Sequence, residues 1–300
     1  MEAPWRLGTE LLSKEEAEKF CRGLGISLEQ RPRELLDAIV KGVNAMPFHN
    51  VNLLAVQPAE RRPPSALEAK AAMLSGEGGL CFVKQAFAGH LLEALGYKVE
   101  VLSARVTHPG NHVVILTHDV VEKGDTFLVE VGSGYPSNAA VPLSDSFEHH
   151  FKDSFLEFRY VKSSGESLVR REHRRGDPPR PVVSDSLGRP GEFDGWRRFF
   201  DFFWPQKDGA ATELAQGMLE VCTMPEASPF LTSLRAVRWV DGKMIAVKDA
   251  SLLEEQEGGE IKATMLKDAK EVKETLARCF PELAESKVEA AVEHWWSKFR

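Results

Sequence analysis

Apolar positions follow a helical period through the first third of the chain and an extended one after it. Ser13-Lys-Glu-Glu16 reads as a capping box, and Gly23 and Gly25 can stop the helix it starts. Leu35, Leu36, Ile39, Val40 and Val43 then share one helical face, which Pro47 ends. A third helix is expected from Ser65 to about Leu74, broken by Gly76, Gly78 and Gly79. A fourth begins near Cys81, with Val83, Phe87, Leu91 and Leu95 at i+4 steps and Gly96 as its stop. Runs rich in Val, Ile, Leu and Phe follow at Lys98–Val106, His112–Val120, Thr126–Val131 and Phe155–Val161, with a turn at Lys123-Gly124-Asp125. Arg170 to Gly195 reads as a Pro/Gly/Arg-rich loop or insertion. Leu234–Val240 and Lys243–Lys248 flank Asp241-Gly242, a hairpin signal. Helices return at about Ala269–Cys279 and Glu282–Phe299. Helices first, strands next and a mixed tail favour an α+β fold over a doubly wound sheet.

Composition narrows the function. The 300 residues carry a net charge of −7, against a general nucleic-acid binder. No run reaches the roughly 18 apolar residues of a membrane span. The first residues include Glu2 and Glu10 and lack an apolar core, so no secretory signal is expected and the cytoplasm is the default location. Cys21, Cys81, Cys222 and Cys279 are scattered, which predicts free thiols and neither a disulfide scaffold nor a metal site.

One cysteine stands apart. Gly78-Gly79-Leu80-Cys81 puts a thiol where glycines end and a helix begins. A helix N-terminus favours the thiolate, the reactive form of cysteine. A buried structural cysteine is the competing reading. His112 opens one strand and Glu130 lies in the next, where it shares a face with Leu128 while Val129 and Val131 point the other way. A lone Glu in an apolar run is costly to bury without a partner; a solvent-facing Glu is the alternative. Cys, His and Glu together supply a nucleophile, a base and an orienting carboxylate.

The contexts of these residues resemble one family. Pro47-Phe-His-Asn-Val-Asn52, Glu77-Gly-Gly-Leu-Cys81, Asn111-His-Val-Val-Ile-Leu116 and Phe127-Leu-Val-Glu-Val-Gly-Ser-Gly134 are similar to successive motifs of the arylamine N-acetyltransferases. Ser228-Pro-Phe-Leu-Thr-Ser233 and the Asp241-Gly242 hairpin resemble the family's third domain. The resemblance implies a helical domain over 1–96, a β-barrel domain over 97–205 and an α/β lid over 206–300. It also implies Cys81, His112 and Glu130 as the catalytic triad, acetyl-coenzyme A as donor and no metal. The acceptor would be an arylamine, hydrazine or arylhydroxylamine, and the protein a monomer without nucleic-acid or membrane partners. Gly132, Ser133 and Gly134, with Thr232 and Ser233, become candidate coenzyme contacts. Arg170, Arg171, Arg174 and Arg175 could attract phosphates, although a solvated loop accounts for them as well. Trp196–Trp204 and His294-Trp295-Trp296 read as packing.

Three departures carry consequences. Glu130 stands where the family usually has Asp, lengthening the side chain by about 1.5 Å. Glu77 and His49 stand where the family pairs Arg with Glu, so a Glu77–His49 contact of reversed polarity is expected, with Asn52 also in reach of Glu77. Ser133 at the Phe/Ser position leaves room for bulkier acceptors. Two rival readings are a thiol hydrolase of the transglutaminase or papain kind and a homologue that binds ligands without turning them over.

Overall fold

The computed structural model describes residues 7–8, 10–174, 192–193 and 195–299. Five helices open it: α1 (Lys14–Gly23), α2 (Pro32–Ala45), α3 (Val51–Leu54), α4 (Ala66–Leu74) and α5 (Cys81–Ala94). Ser13 and Ser65 start α1 and α4 through complete capping boxes closed by Glu16 and Glu68. Helix α2 is amphipathic and buries Leu36, Ile39, Val40 and Val43 against Phe87 and Leu91 of α5. Helix α5 is buried on nearly every side, as befits a helix at the centre of a core.

The nine strands that follow form one antiparallel sheet: β2 (Lys98–Arg105), β3 (His112–His118), β4 (Thr126–Val129), β5 (Val141–Leu143), β6 (Phe147–Asp153), β7 (Leu156–Lys162), β8 (Leu168–Arg174), β9 (Glu192–Phe193) and β10 (Trp196–Phe203), with a two-residue strand, β1 (Phe48–His49), earlier in the chain. Eight of the nine run in the order β5-β4-β3-β2-β10-β8-β7-β6, and β9 pairs with β10. The sheet is a nearly closed barrel. Its edges β5 and β6 are bridged where His149 Nε2 donates to the Pro142 carbonyl at 3.0 Å.

The loop expected over Arg170–Gly195 needs correction at its start. Arg170, Arg171 and Arg174 lie on β8, paired to β7 and β10. Arg171 is fully buried, bonded to His173, Tyr160 and Pro136. Arg170 pairs with Glu172, and Arg174 lies over the Trp196 ring. An arginine-rich run reads as solvated, and Arg174 is exposed, but aromatic rings and carbonyls inside the barrel absorb the charge of Arg171. Arg175 lies outside the described residues.

The last third holds α6 (Ala210–Thr223), β11 (Arg235–Val240), β12 (Lys243–Lys248), β13 (Ser251–Glu255), β14 (Ile261–Met265), α7 (Ala269–Cys279) and α8 (Glu285–Phe299). Strands β11 to β14 form a second antiparallel sheet, and β1 joins its edge with Phe48 opposite Val237. At the β11–β12 turn Asp241 and Gly242 both take positive φ, +49° and +77°, which suits a two-residue hairpin. The sheet is covered on two sides. Val247 and Leu252 pack with Leu276, Val292 and Trp295 of α7 and α8, while Ala246 and Val237 join the barrel core. The α+β expectation holds: helices, a barrel and a helix-backed sheet meet around the start of α5.

Candidate active site

Leu80 is the N-cap of α5 and Cys81 its first residue. The approach to it requires glycine. Gly78 has φ +80°, and a Cβ there would lie 2.0 Å from the Pro47 carbonyl, which also receives the Gly79 N–H at 3.1 Å. From the other side Gly132 comes so close that a Cβ would sit 3.0 Å from Cys81 Cα. The thiol is thus wedged between two backbones and almost fully buried. Burial, then the Glu130 carboxylate, push the Cys81 thiol well above the usual cysteine range, while the Phe82 and Cys81 N–H groups pull it down.

His112 and Glu130 meet as the strand alternation requires. Val129 and Val131 join the core between the barrel and α5, with Phe87 and Leu91, whereas Leu128 joins the barrel core with Cys81 and Phe200. Glu130, just past β4, follows Leu128 inward and is 1% exposed, so the solvent-facing reading is excluded. Its Oε2 lies 2.8 Å from His112 Nε2, and its Oε1 accepts the Gly132 N–H at 2.7 Å. The longer Glu side chain is therefore accommodated by anchoring its second oxygen on the backbone two residues on. With Nε2–H committed to Glu130, Nδ1 is the imidazole's free base. The ring is held against Phe200, centroids 5.0 Å apart.

Cys81 and His112 line one narrow cleft of about 60 Å³, with Gly132 and Ser133 on its wall. Ser133 Oγ accepts the Tyr135 N–H at 3.3 Å and lies 3.4 Å from Arg171 Nη1. Gly134 sits beneath the Phe48 ring. Thr232 and Ser233 follow the short turn Pro229–Leu231, of which Pro229 and Phe230 line the cleft. The Ser233 hydroxyl donates to Asp249 Oδ2 at 3.0 Å and accepts from Arg235 Nε. Sequence reasoning missed Val106, Thr107, Phe199, Val221, Ala227 and Arg235, which also line the cleft. Only proximity across the fold marks them; no local motif does.

The expected Glu77–His49 pair is not formed. His49 Nε2 donates to the Glu77 backbone carbonyl at 3.1 Å, and its Nδ1 accepts the Val51 N–H. Complete burial pushes this imidazole down to about 3, so it stays neutral and cannot be an ionic partner. The Glu77 carboxylate instead takes Lys287 of α8 at 2.8 Å. Asn52 does not reach Glu77, and its Oδ1 is buried without a partner. One turn beyond Cys81, Lys84 is buried with its Nζ donating to the Asn44 and Met46 carbonyls, and burial lowers it to about 7.

A family described as N-acetyltransferase matches residues 33–284 of the chain. The chain belongs to this N-acetyltransferase family. Arylamine N-acetyltransferases of Mycobacterium bovis and Mycobacterium tuberculosis are each 26% identical over 254 residues, covering 82% of this chain and 81% of theirs. Among solved structures, the arylamine N-acetyltransferase of Nocardia farcinica superposes with a TM-score of 0.73 at 19% identity, covering 100% of this chain and 99% of that one. The Mycobacterium marinum enzyme in complex with CoA does so with a TM-score of 0.69 at 20% identity, covering 92% and 98%. The resemblance drawn from the motifs and the α+β fold are both borne out.

Proposed function

We propose that this N-acetyltransferase family member moves an acetyl or other short acyl group from an acyl-coenzyme A to an aromatic amine, hydrazine or hydroxylamine, by way of acyl-Cys81. One observation carries the reading: Cys81 and His112 share a single narrow cleft, and Glu130 holds the imidazole nitrogen that faces away from the free base. The relatives' names and the coenzyme-bound Mycobacterium marinum neighbour support the donor and acceptor classes.

His112 Nδ1 takes the Cys81 proton, which leaves the thiolate as the nucleophile. The thiolate adds to the thioester carbonyl, and backbone N–H groups at the start of α5 and in His108–Asn111 are the candidate donors to the oxyanion. The tetrahedral adduct expels coenzyme A, which leaves with the proton from the imidazole. An amine then attacks acyl-Cys81, gives its proton to His112, and the sulfur departs to recover that proton. Glu130 fixes the tautomer and offsets the imidazolium charge in each half-reaction. In this reading residues 1–96 supply the nucleophile, 97–205 the base and its carboxylate, and 206–300 the covering wall. Gly132, Ser133 and Gly134 admit the donor's thioester end, and Thr232, Ser233 and the buried Arg235 lie toward its nucleotide.

Intact and peptide mass spectrometry after brief incubation with acetyl-, propionyl- or malonyl-coenzyme A tests this directly. The expected result is one acyl group on the Cys81 peptide, removed by an added arylamine. Folded protein that takes up no acyl group from any donor would set the proposal aside.

A further inference from the structure

A second cavity, of about 630 Å³, lies behind the wall that holds Cys81. Three stretches of chain form that wall, and neighbouring residues on each face opposite ways. Phe48, Cys81 and Val221 line the narrow cleft; His49, Leu80, Phe82 and Cys222 line the cavity. The cavity falls within the range of small-molecule sites, roughly 300–1,000 Å³. Leu53, Val56, Ala72 and Val83 make much of the remaining surface apolar.

Its charged groups are unevenly matched. Arg62 is held by Glu68 at 2.7 Å, and Lys287 by Glu77 at 2.8 Å. Arg61 is not matched. It is 9% exposed and lines the cavity, yet its guanidinium makes one hydrogen bond, from Nε to the Val56 carbonyl at 3.2 Å. No described carboxylate pairs with it: Glu60 also lines the cavity, but it is exposed to solvent and makes no ion pair with Arg61. The buried, unpartnered Asn52 Oδ1 adds a hydrogen-bond acceptor to the same lining. A largely apolar chamber whose one buried, unpaired charge is a guanidinium, with the lone Glu60 carboxylate out in solvent, selects a ligand with one negative charge on an apolar body. A carboxylate matches the two free guanidinium nitrogens in geometry and charge. A phosphate dianion would leave a second charge beside Glu68 and Glu77.

We propose that this cavity binds a small aromatic carboxylate, its carboxylate on Arg61 and a ring N–H or O–H on Asn52, at a site separate from the Cys81 cleft. Calorimetric titration of the full chain with indole-3-acetate, and with indole-3-acetamide as neutral control, tests it. The acid is expected to bind about 10-fold tighter than the amide, the scale of one charge-assisted bond. Arg61→Gln is expected to erase that preference, while saturating coenzyme A leaves the acid bound. Equal binding of acid and amide, no binding of either, or displacement by coenzyme A would overturn the proposal. If Arg61→Gln fails to fold, the acid–amide comparison and the coenzyme competition in the unaltered protein still decide.

Discussion

Glu130 uses both oxygens as acceptors, one for His112 Nε2 and one for the Gly132 N–H. Glutamine has a single acceptor oxygen, so Glu130→Gln must either face its NH₂ toward the Gly132 N–H or drive His112 into the other tautomer, which removes the free base at Nδ1. Steady-state kinetics should show kcat/KM lower by about 10³–10⁴, the cost of a wrong-tautomer imidazole in hydrolytic triads, with the fold intact by circular dichroism. Near-normal turnover would remove Glu130 from the mechanism. His49 is a different kind of histidine. Held down at about 3 in the fold against 6.5 when free, it contributes stability that is fully present above pH 6.5 and is lost as pH falls toward 3, because the unfolded chain then binds a proton that the fold refuses. The gap in urea-unfolding free energy between the unaltered protein and His49→Gln should therefore shrink below pH 6.5. A gap constant from pH 8 to 4 would mean that the imidazole is not kept neutral.

At the scale of elements, those with local signals were legible. A capping box placed α1, the glycines after Leu74 closed α4, i+4 spacing placed α5, and alternation put Glu130 and Leu128 on one face, which the fold turns into the barrel. Elements that depend on distant partners were not. Strand β1 is two residues long and extended because β11 pairs with it, and β8 reads as loop because its central Arg171 is satisfied only inside the barrel. Helix α6 was not among the predicted elements, and Gly217 sits in its middle. The fold gives that glycine a reason: a Cβ there would lie 2.2 Å from the Gly110 carbonyl carbon, so α6 rests directly on the His108–Asn111 turn. Ser103 and Glu213 clamp the same contact at 2.6 Å. Gly217→Ala has to lift the helix off a backbone that cannot yield. It should cost about 1–3 kcal/mol by thermal or urea melts, as overpacking does. Because Val221 of α6 and Asn111 of the turn both line the cleft, KM for the acyl donor should rise as well. An unchanged melting temperature would show that this packing is looser than the backbone distances require.

The whole molecule assembles the cleft from three bodies that no single stretch of sequence contains: Cys81 from the helices, His112 and Phe199 from the barrel, and Phe230 and Arg235 from the C-terminal part. Convergence of this kind excludes water. A cleft of about 60 Å³ beside a cysteine that is 5% exposed leaves little space for solvent beside an acyl group. Acyl-Cys81 should therefore resist hydrolysis and wait for an amine, which separates a transferase from a thiol hydrolase built on the same three residue types. Mass spectrometry of the acylated protein over time, with and without an arylamine, measures both rates. Loss of the acyl group should be at least about 100-fold faster with the amine, since a nucleophile that binds in the cleft gains proximity that stray water lacks. Comparable rates would mean that water reaches the thioester as readily as the amine does, and the cleft would then have to be read as that of a hydrolase.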